Sequence, residues 1–332
     1  MRDKGGIMRG GSRRSLITVL VQGVLVTSLI VVGAPPAFAA PHHGGGGGGG
    51  GGSGPITTGN DISYPQCGGS MPSGQAFGIV GVNGGLANNP NACLGPSSQY
   101  PNYAQSELYW ASVTSTGVTA QPAASLYVNT ADPGNLYNGI LIGDWPSSST
   151  SGDPYGTCTP ETVTTSSGPA SAGANSPACA WQYGFNVAAQ DMARVTAAAD
   201  AIDAQVGPGV VSDAASSYPW WLDVETANSW QSGTTGLEMN VADLQGMVAA
   251  FAAAGATVGA YSTSSQWNQI TGGTNAVTLY NVTNSLYQIP EWVPGARSRS
   301  AAVSNCAQAT FTGGVVTLTQ WFGHPFDGDY VC

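Results

Sequence analysis

Between Ile56 and Cys332 short apolar runs alternate with stretches of helical character, and that alternation leaves the chain few architectures. Strand-like runs fall at Thr58–Ser63, Phe77–Val82, Ala124–Asn129, Trp220–Glu225, Thr257–Ser262, Ile289–Val293 and Val315–Trp321. Helix-like stretches fall at Tyr103–Thr116, Tyr183–Val206, Val241–Ala254 and Ser264–Ile270. Strands separated by helices are joined by crossovers, which predicts an α/β fold with a parallel sheet, open or closed. The span of about 277 residues suits one α/β barrel better than two ordinary domains. Residues 143 to 177, rich in Ser, Thr, Gly and Pro, break the rhythm. They read as a long surface excursion tied down by Cys158 and Cys179.

The N-terminal region reads differently. Arg2, Lys4, Arg9, Arg13 and Arg14 precede an apolar run from Leu16 to about Gly33, and Ala37-Phe38-Ala39 closes it. A basic start, an apolar centre and a small-x-small site are the parts of a signal peptide, here residues 1–39. The apolar run approaches bilayer length, so a retained anchor is the rival, but Pro35, Pro36 and the small residues favour cleavage after Ala39. Arg13-Arg14 admits the twin-arginine route beside general secretion. Residues 40–55, with nine consecutive glycines from Gly44 to Gly52, read as a flexible linker to a domain spanning 56–332.

Cleavage would change the charge balance. Beyond residue 39 only Arg194, Arg297 and Arg299 remain as cations, against seventeen acids, for a net charge of about −14. A domain so poor in cations cannot neutralise phosphates, which excludes nucleic acid as a partner. It equally disfavours an anionic membrane surface after the signal is removed. The six cysteines, Cys67, Cys93, Cys158, Cys179, Cys306 and Cys332, form an even set in an exported chain, which points to disulfides. Fifteen pairings exist in principle. The sequential one, Cys67–Cys93, Cys158–Cys179 and Cys306–Cys332, closes three short loops and is expected. With no CxxC spacing and no clustered histidines, neither a metal nor another cofactor is expected.

Elimination narrows the chemistry. Within residues 56–332 there is one histidine, His324, and no lysine, so any Ser-His-Asp or Cys-His arrangement would depend on His324. No Gly-x-Ser-x-Gly elbow and no phosphate-binding Gly-x-x-x-x-Gly-Lys loop is present. Acid–base work falls to carboxylates, and paired carboxylates are the machinery of glycoside hydrolysis. The foremost pair is Asp223 and Glu225, which end the apolar run Trp220-Trp221-Leu222. Period-two geometry puts both on one face, their Cα atoms about 6.5 Å apart. At the C-terminal end of a barrel strand that is a catalytic position, although the same pair also suits a solvated strand end. Asp61 ends the first run, and Asp327-Gly328-Asp329 follows the last one as a turn-like segment. In a closed barrel the first and last strands are neighbours, so these acids can converge with Asp223 and Glu225. Trp292, Trp321 and Tyr261, at strand ends, are candidates to stack against sugar rings.

In order, Asn60-Asp61-Ile62-Ser63, Leu222-Asp223-Val224-Glu225, Gly259-Ala260-Tyr261-Ser262 with Trp267, Glu291-Trp292, and Leu318-Thr319-Gln320-Trp321 with Gly328-Asp329 resemble the family 25 glycoside hydrolases. The resemblance implies a modified TIM barrel of lysozyme type. It makes Glu225 the general acid, Asp223 and Asp61 supporting carboxylates, and Asp329 the fourth acid. The expected function is then hydrolysis of β-1,4 bonds of cell-wall peptidoglycan by a secreted monomer. A secreted glycan-binding module, silent in catalysis, is the alternative on the same fold.

Overall fold

The computed structural model describes residues 57–63, 65–118, 121–150, 152–276 and 282–332. The expected signal peptide and linker lie outside the described residues. The strands are β1 (Thr58–Ile62), β2 (Gly78–Gly81), β3 (Ala124–Asn129), β4 (Leu136–Tyr137), β5 (Ile140–Leu141), β6 (Pro160–Thr165) and β7 (Gly168–Gly173). They continue as β8 (Pro219–Asp223), β9 (Thr257–Tyr261), β10 (Glu291–Ala296), β11 (Val316–Trp321) and β12 (Asp327–Val331). The helices are α1 (Glu107–Thr114), α2 (Pro177–Val206), α3 (Gly233–Ala253), α4 (Ser264–Thr271) and α5 (Arg299–Asn305).

Eight strands close into a barrel in the order β1-β12-β11-β10-β9-β8-β3-β2. Every neighbouring pair is parallel except the two made by β12, which runs antiparallel to both β1 and β11. The fold is therefore the expected α/β barrel, closed rather than open, and modified at its seam. Asp327–Val331 corrects the reading of this segment as a turn. Asp and Gly are poor strand formers, so propensity hides β12, but without it β1 and β11 would stay unpaired edges.

Strand alternation divides the apolar residues into two cores. Phe77, Ile79, Tyr127, Trp221, Trp292 and Leu318 fill the barrel interior. Val80, Leu126, Trp220 and Leu222 belong to the larger core with the helices, where Trp220 packs on Phe251 of α3 at 4.4 Å between ring centroids. Trp220 and Trp221 thus serve different cores, as consecutive strand residues must.

The excursion after β3 is more ordered than its composition suggests, because it holds two antiparallel hairpins, β4–β5 and β6–β7. It returns to the fold where Ser176 caps α2, accepting from the Cys179 N–H with Pro177 in the first turn. That cap starts α2 at Pro177 rather than Tyr183. The disulfides are Cys67–Cys93, Cys158–Cys179 and Cys306–Cys332, with Cα separations of 4.9, 4.5 and 5.5 Å. The second ties the excursion to the first turn of α2, and the third ties the end of α5 to the residue after β12. Among the described residues no helix is long and apolar enough to cross a membrane.

Helices α2 and α3 cross at a pair of glycines. A Cβ on Gly246 would fall on the Trp181 carbonyl oxygen, and one on Gly184 would fall on the Asp243 carbonyl oxygen. Each glycine thus lets one backbone rest on the other. Gly246→Ala must push the helices apart, and should destabilise the fold by about 1–3 kcal/mol in denaturant melts. An unchanged midpoint would contradict this contact.

Candidate active site

Parallel strands bring their C-terminal ends to one rim. Asp61 is the penultimate residue of β1, Asn129 the last of β3, Asp223 the last of β8 and Tyr261 the last of β9. The register joins them: Asn129 is paired with Asp223, Asp223 with Tyr261, and Tyr261 with Trp292 of β10. These residues, with Ser63, Gly85, Tyr127, Glu225 and Gln320, line a cavity of about 190 Å³. Its floor is aromatic. Trp292 meets Tyr261, Trp221 and Tyr127 edge-on, at centroid distances of 4.5, 6.0 and 6.4 Å.

Asp223 is buried and half-buried Glu225 follows just beyond the strand. Glu225 is held by its neighbours. Its backbone carbonyl accepts from Trp230 Nε1 at 2.8 Å, and its Oε1 accepts from Gln266 Nε2 at 3.2 Å. The preceding Val224 carbonyl accepts from the Ser262 hydroxyl at 2.7 Å. Asp61 takes a bond from Gln320 Nε2 at 2.9 Å and one from the Ser63 hydroxyl at 2.8 Å. Gln320 is oriented in turn by the Tyr261 hydroxyl, which donates to its Oε1 at 3.0 Å.

Asp329 lies one layer lower. Because β12 is antiparallel, Asp327 stands opposite Asp61 at the rim while Asp329 stands opposite Gly59 and Gln320. Asp329 is fully buried and does not line the cavity. Its Oδ1 accepts from Trp292 Nε1 at 2.9 Å, fixing the indole of the floor. Its Oδ2 has no hydrogen-bond partner.

Trp321 is a correction. It does not line the cavity. Gln320 points inward, so period-two geometry turns Trp321 out of the barrel, where its ring covers Gly328 of β12. Conversely, sequence reasoning passed over Tyr127, Asn129 and Gln320 as site residues. A polar residue closing an apolar parallel strand, as Asn129 does, was the available signal.

Burial dominates the electrostatics. It pushes Asp61 up to about 6, with the Gln320 bond opposing it. Burial, then the charges of Glu225 and Asp61, hold Asp223 well above the ordinary carboxylate range. Asp329 is raised well above it too, by burial and then by the charge of Asp61. Away from the cavity, burial raises Asp132 to about 6, and Glu107 and Asp191 to about 7. The one ion pair among the described residues joins Arg194 to Asp191.

Over residues 180–284 the chain is similar to the family described as lysozyme-like protein 1. That stretch runs from α2 through β8, α3, β9 and α4, and so includes Asp223, Glu225, Tyr261 and Gln266. It is also similar to the bacterial lysozyme from Streptomyces coelicolor, whose crystal structure matches at 16% identity and a TM-score of 0.39. The match covers 83% of this chain and 92% of that one. No curated protein matches. The family match is in keeping with a lysozyme-type fold, and the barrel rests on its own strand pairing.

These raised carboxyl groups make the fold bind protons that the unfolded chain has released. Their stabilisation is fullest below the unfolded carboxylate pKa of about 4 and is lost as pH rises through 6 to 7. Thermal melts should show Tm falling from about pH 4.5 to 7.5, as linkage requires. A flat or rising Tm would mean the buried acids are ionised in the fold.

Proposed function

We propose that this chain is an exported glycoside hydrolase of muramidase type, acting on β-1,4 bonds of peptidoglycan. The observation that carries the reading is the meeting of Asp61, Asp223 and Glu225 around one cavity at the C-terminal rim, above an aromatic floor. The disulfides and the scarcity of cations suit a protein working outside the cell. The family match over residues 180–284, which include Asp223 and Glu225, supports the same reading.

In this mechanism protonated Glu225 delivers its proton to the glycosidic oxygen as the bond from that oxygen to the anomeric carbon breaks. Positive charge then develops on the sugar ring. Asp61, ionised above pH of about 6, supplies negative charge facing it. Asp223, whose pKa burial raises, presents a carboxyl to the same cavity and can donate a hydrogen bond to the substrate when protonated. Water adds to the anomeric carbon, and its proton restores Glu225. Trp292 and Tyr261 offer ring faces and edges to the sugar, while Asp329 acts below them by holding Trp292.

Release of reducing ends from purified peptidoglycan tests this directly. Glu225→Gln should lose about 10²- to 10⁴-fold in turnover with its thermal melt unchanged, since it removes the proton but keeps the shape. Equal turnover in both proteins, or none in either, would sink the reading. Glycan binding with no turnover in either would instead identify a binding module.

A further inference from the structure

Gln266 opens helix α4 in a pattern that has an ordinary explanation. Thr263 is the N-cap of the helix, and its hydroxyl accepts from the Gln266 N–H at 3.2 Å. Thr-x-x-Gln is the signature of a capping box, in which the Gln side chain would turn back to the cap residue. Here it makes other bonds. Gln266 Oε1 accepts from the backbone N–H of Thr226 at 2.7 Å and from the Thr226 hydroxyl at 3.1 Å. Its Nε2 donates to Glu225 Oε1 at 3.2 Å.

These contacts fix which way round the amide lies. A backbone N–H can only donate, so the atom facing Thr226 is the amide oxygen, and the atom facing Glu225 is the amide nitrogen. We propose that Gln266 is a positioning residue for Glu225, presenting an N–H to one carboxyl oxygen so that the other carries the transferable proton. With Oε1 occupied as an acceptor, Oε2 is the oxygen left to hold the proton. The Thr226 contacts meanwhile tie the chain just past β8 to the first turn of α4. Glu225 lies beyond the last ladder pair of β8, so the barrel alone does not hold its side chain. Gln266 supplies that hold from the next β/α unit.

This inference rests on the glycosidase reading, and two variants separate their failures. Gln266→Met removes the donor with little change in size. Gln266→Glu keeps an acceptor for Thr226 and offers Glu225 a proton only while the introduced carboxyl is protonated. On purified peptidoglycan, Gln266→Met should lower kcat about 10- to 100-fold with KM little changed, as for a displaced catalytic group. Gln266→Glu should approach wild-type kcat at the acid end of its range. As pH rises and the introduced carboxyl ionises, kcat should fall below wild type for want of the donor, while its charge raises the Glu225 pKa, so that the alkaline limb of the profile is displaced to higher pH. A role confined to capping α4 would leave the Gln266→Glu profile on that of the wild type, and that result would overturn the proposal. Should Gln266→Met fail to fold in thermal melts, Gln266→Glu carries the test. Inactivity of the wild type would overturn the glycosidase reading, and this inference with it.

Discussion

Strands β1 and β11 do not pair with each other; β12 stands between them, antiparallel to both, and the barrel closes only through it. Closure also assembles the chemistry. Asp61 on β1 is bonded to Gln320 on β11, Gln320 to Tyr261 on β9, and Asp329 on β12 to Trp292 on β10. Each link spans strands far apart in sequence, so the site exists only when the ring is complete. The Cys306–Cys332 disulfide fastens the residue after β12 to the end of α5.

A second constraint follows from composition. With three arginines and no lysine beyond residue 39, the domain can neutralise few of its buried acids with ion pairs, and among the described residues only Asp191 has one, from Arg194. It uses hydrogen bonds and protons instead. Glu107 receives the Gln66 N–H and the Asn91 amide, at 2.6 and 2.7 Å, and joins two loops. Glu291 receives the Thr312 N–H and hydroxyl, at 2.6 and 2.7 Å. Asp243 has no hydrogen-bond donor at either oxygen, and burial holds its pKa well above the usual range. A buried carboxyl that stays neutral avoids most of the desolvation cost of a charge. The same principle acts at the cavity, where burial raises the pKa of Asp223 and Asp329 well above the usual range.

Much of this was legible in the residues, for reasons that can be named. The parity of Asp223 and Glu225 is a local property of an extended chain, so their common face could be read directly. The sequential disulfides joined short loops that any compact fold would leave close. What escaped was set by distant partners. β12 was hidden because its Asp and Gly residues disfavour strands, while its stability comes from two neighbours contributed by opposite ends of the domain. Trp321 was misplaced because an aromatic at a strand end looks like a sugar platform until the inward side chain, Gln320, is known. Gln266 was masked by a capping pattern whose side chain serves the adjacent strand end.

The central claim is that closure of the ring builds one catalytic cavity with Glu225 at its mouth. A crystal structure of the Glu225→Gln variant with a bound peptidoglycan oligosaccharide tests it most directly. The account predicts a glycosidic oxygen within hydrogen-bond reach, about 3 Å, of the side chain at position 225, with a sugar ring over Trp292 and Tyr261. A saccharide bound elsewhere, or in the cavity with no glycosidic bond near that side chain, would contradict it.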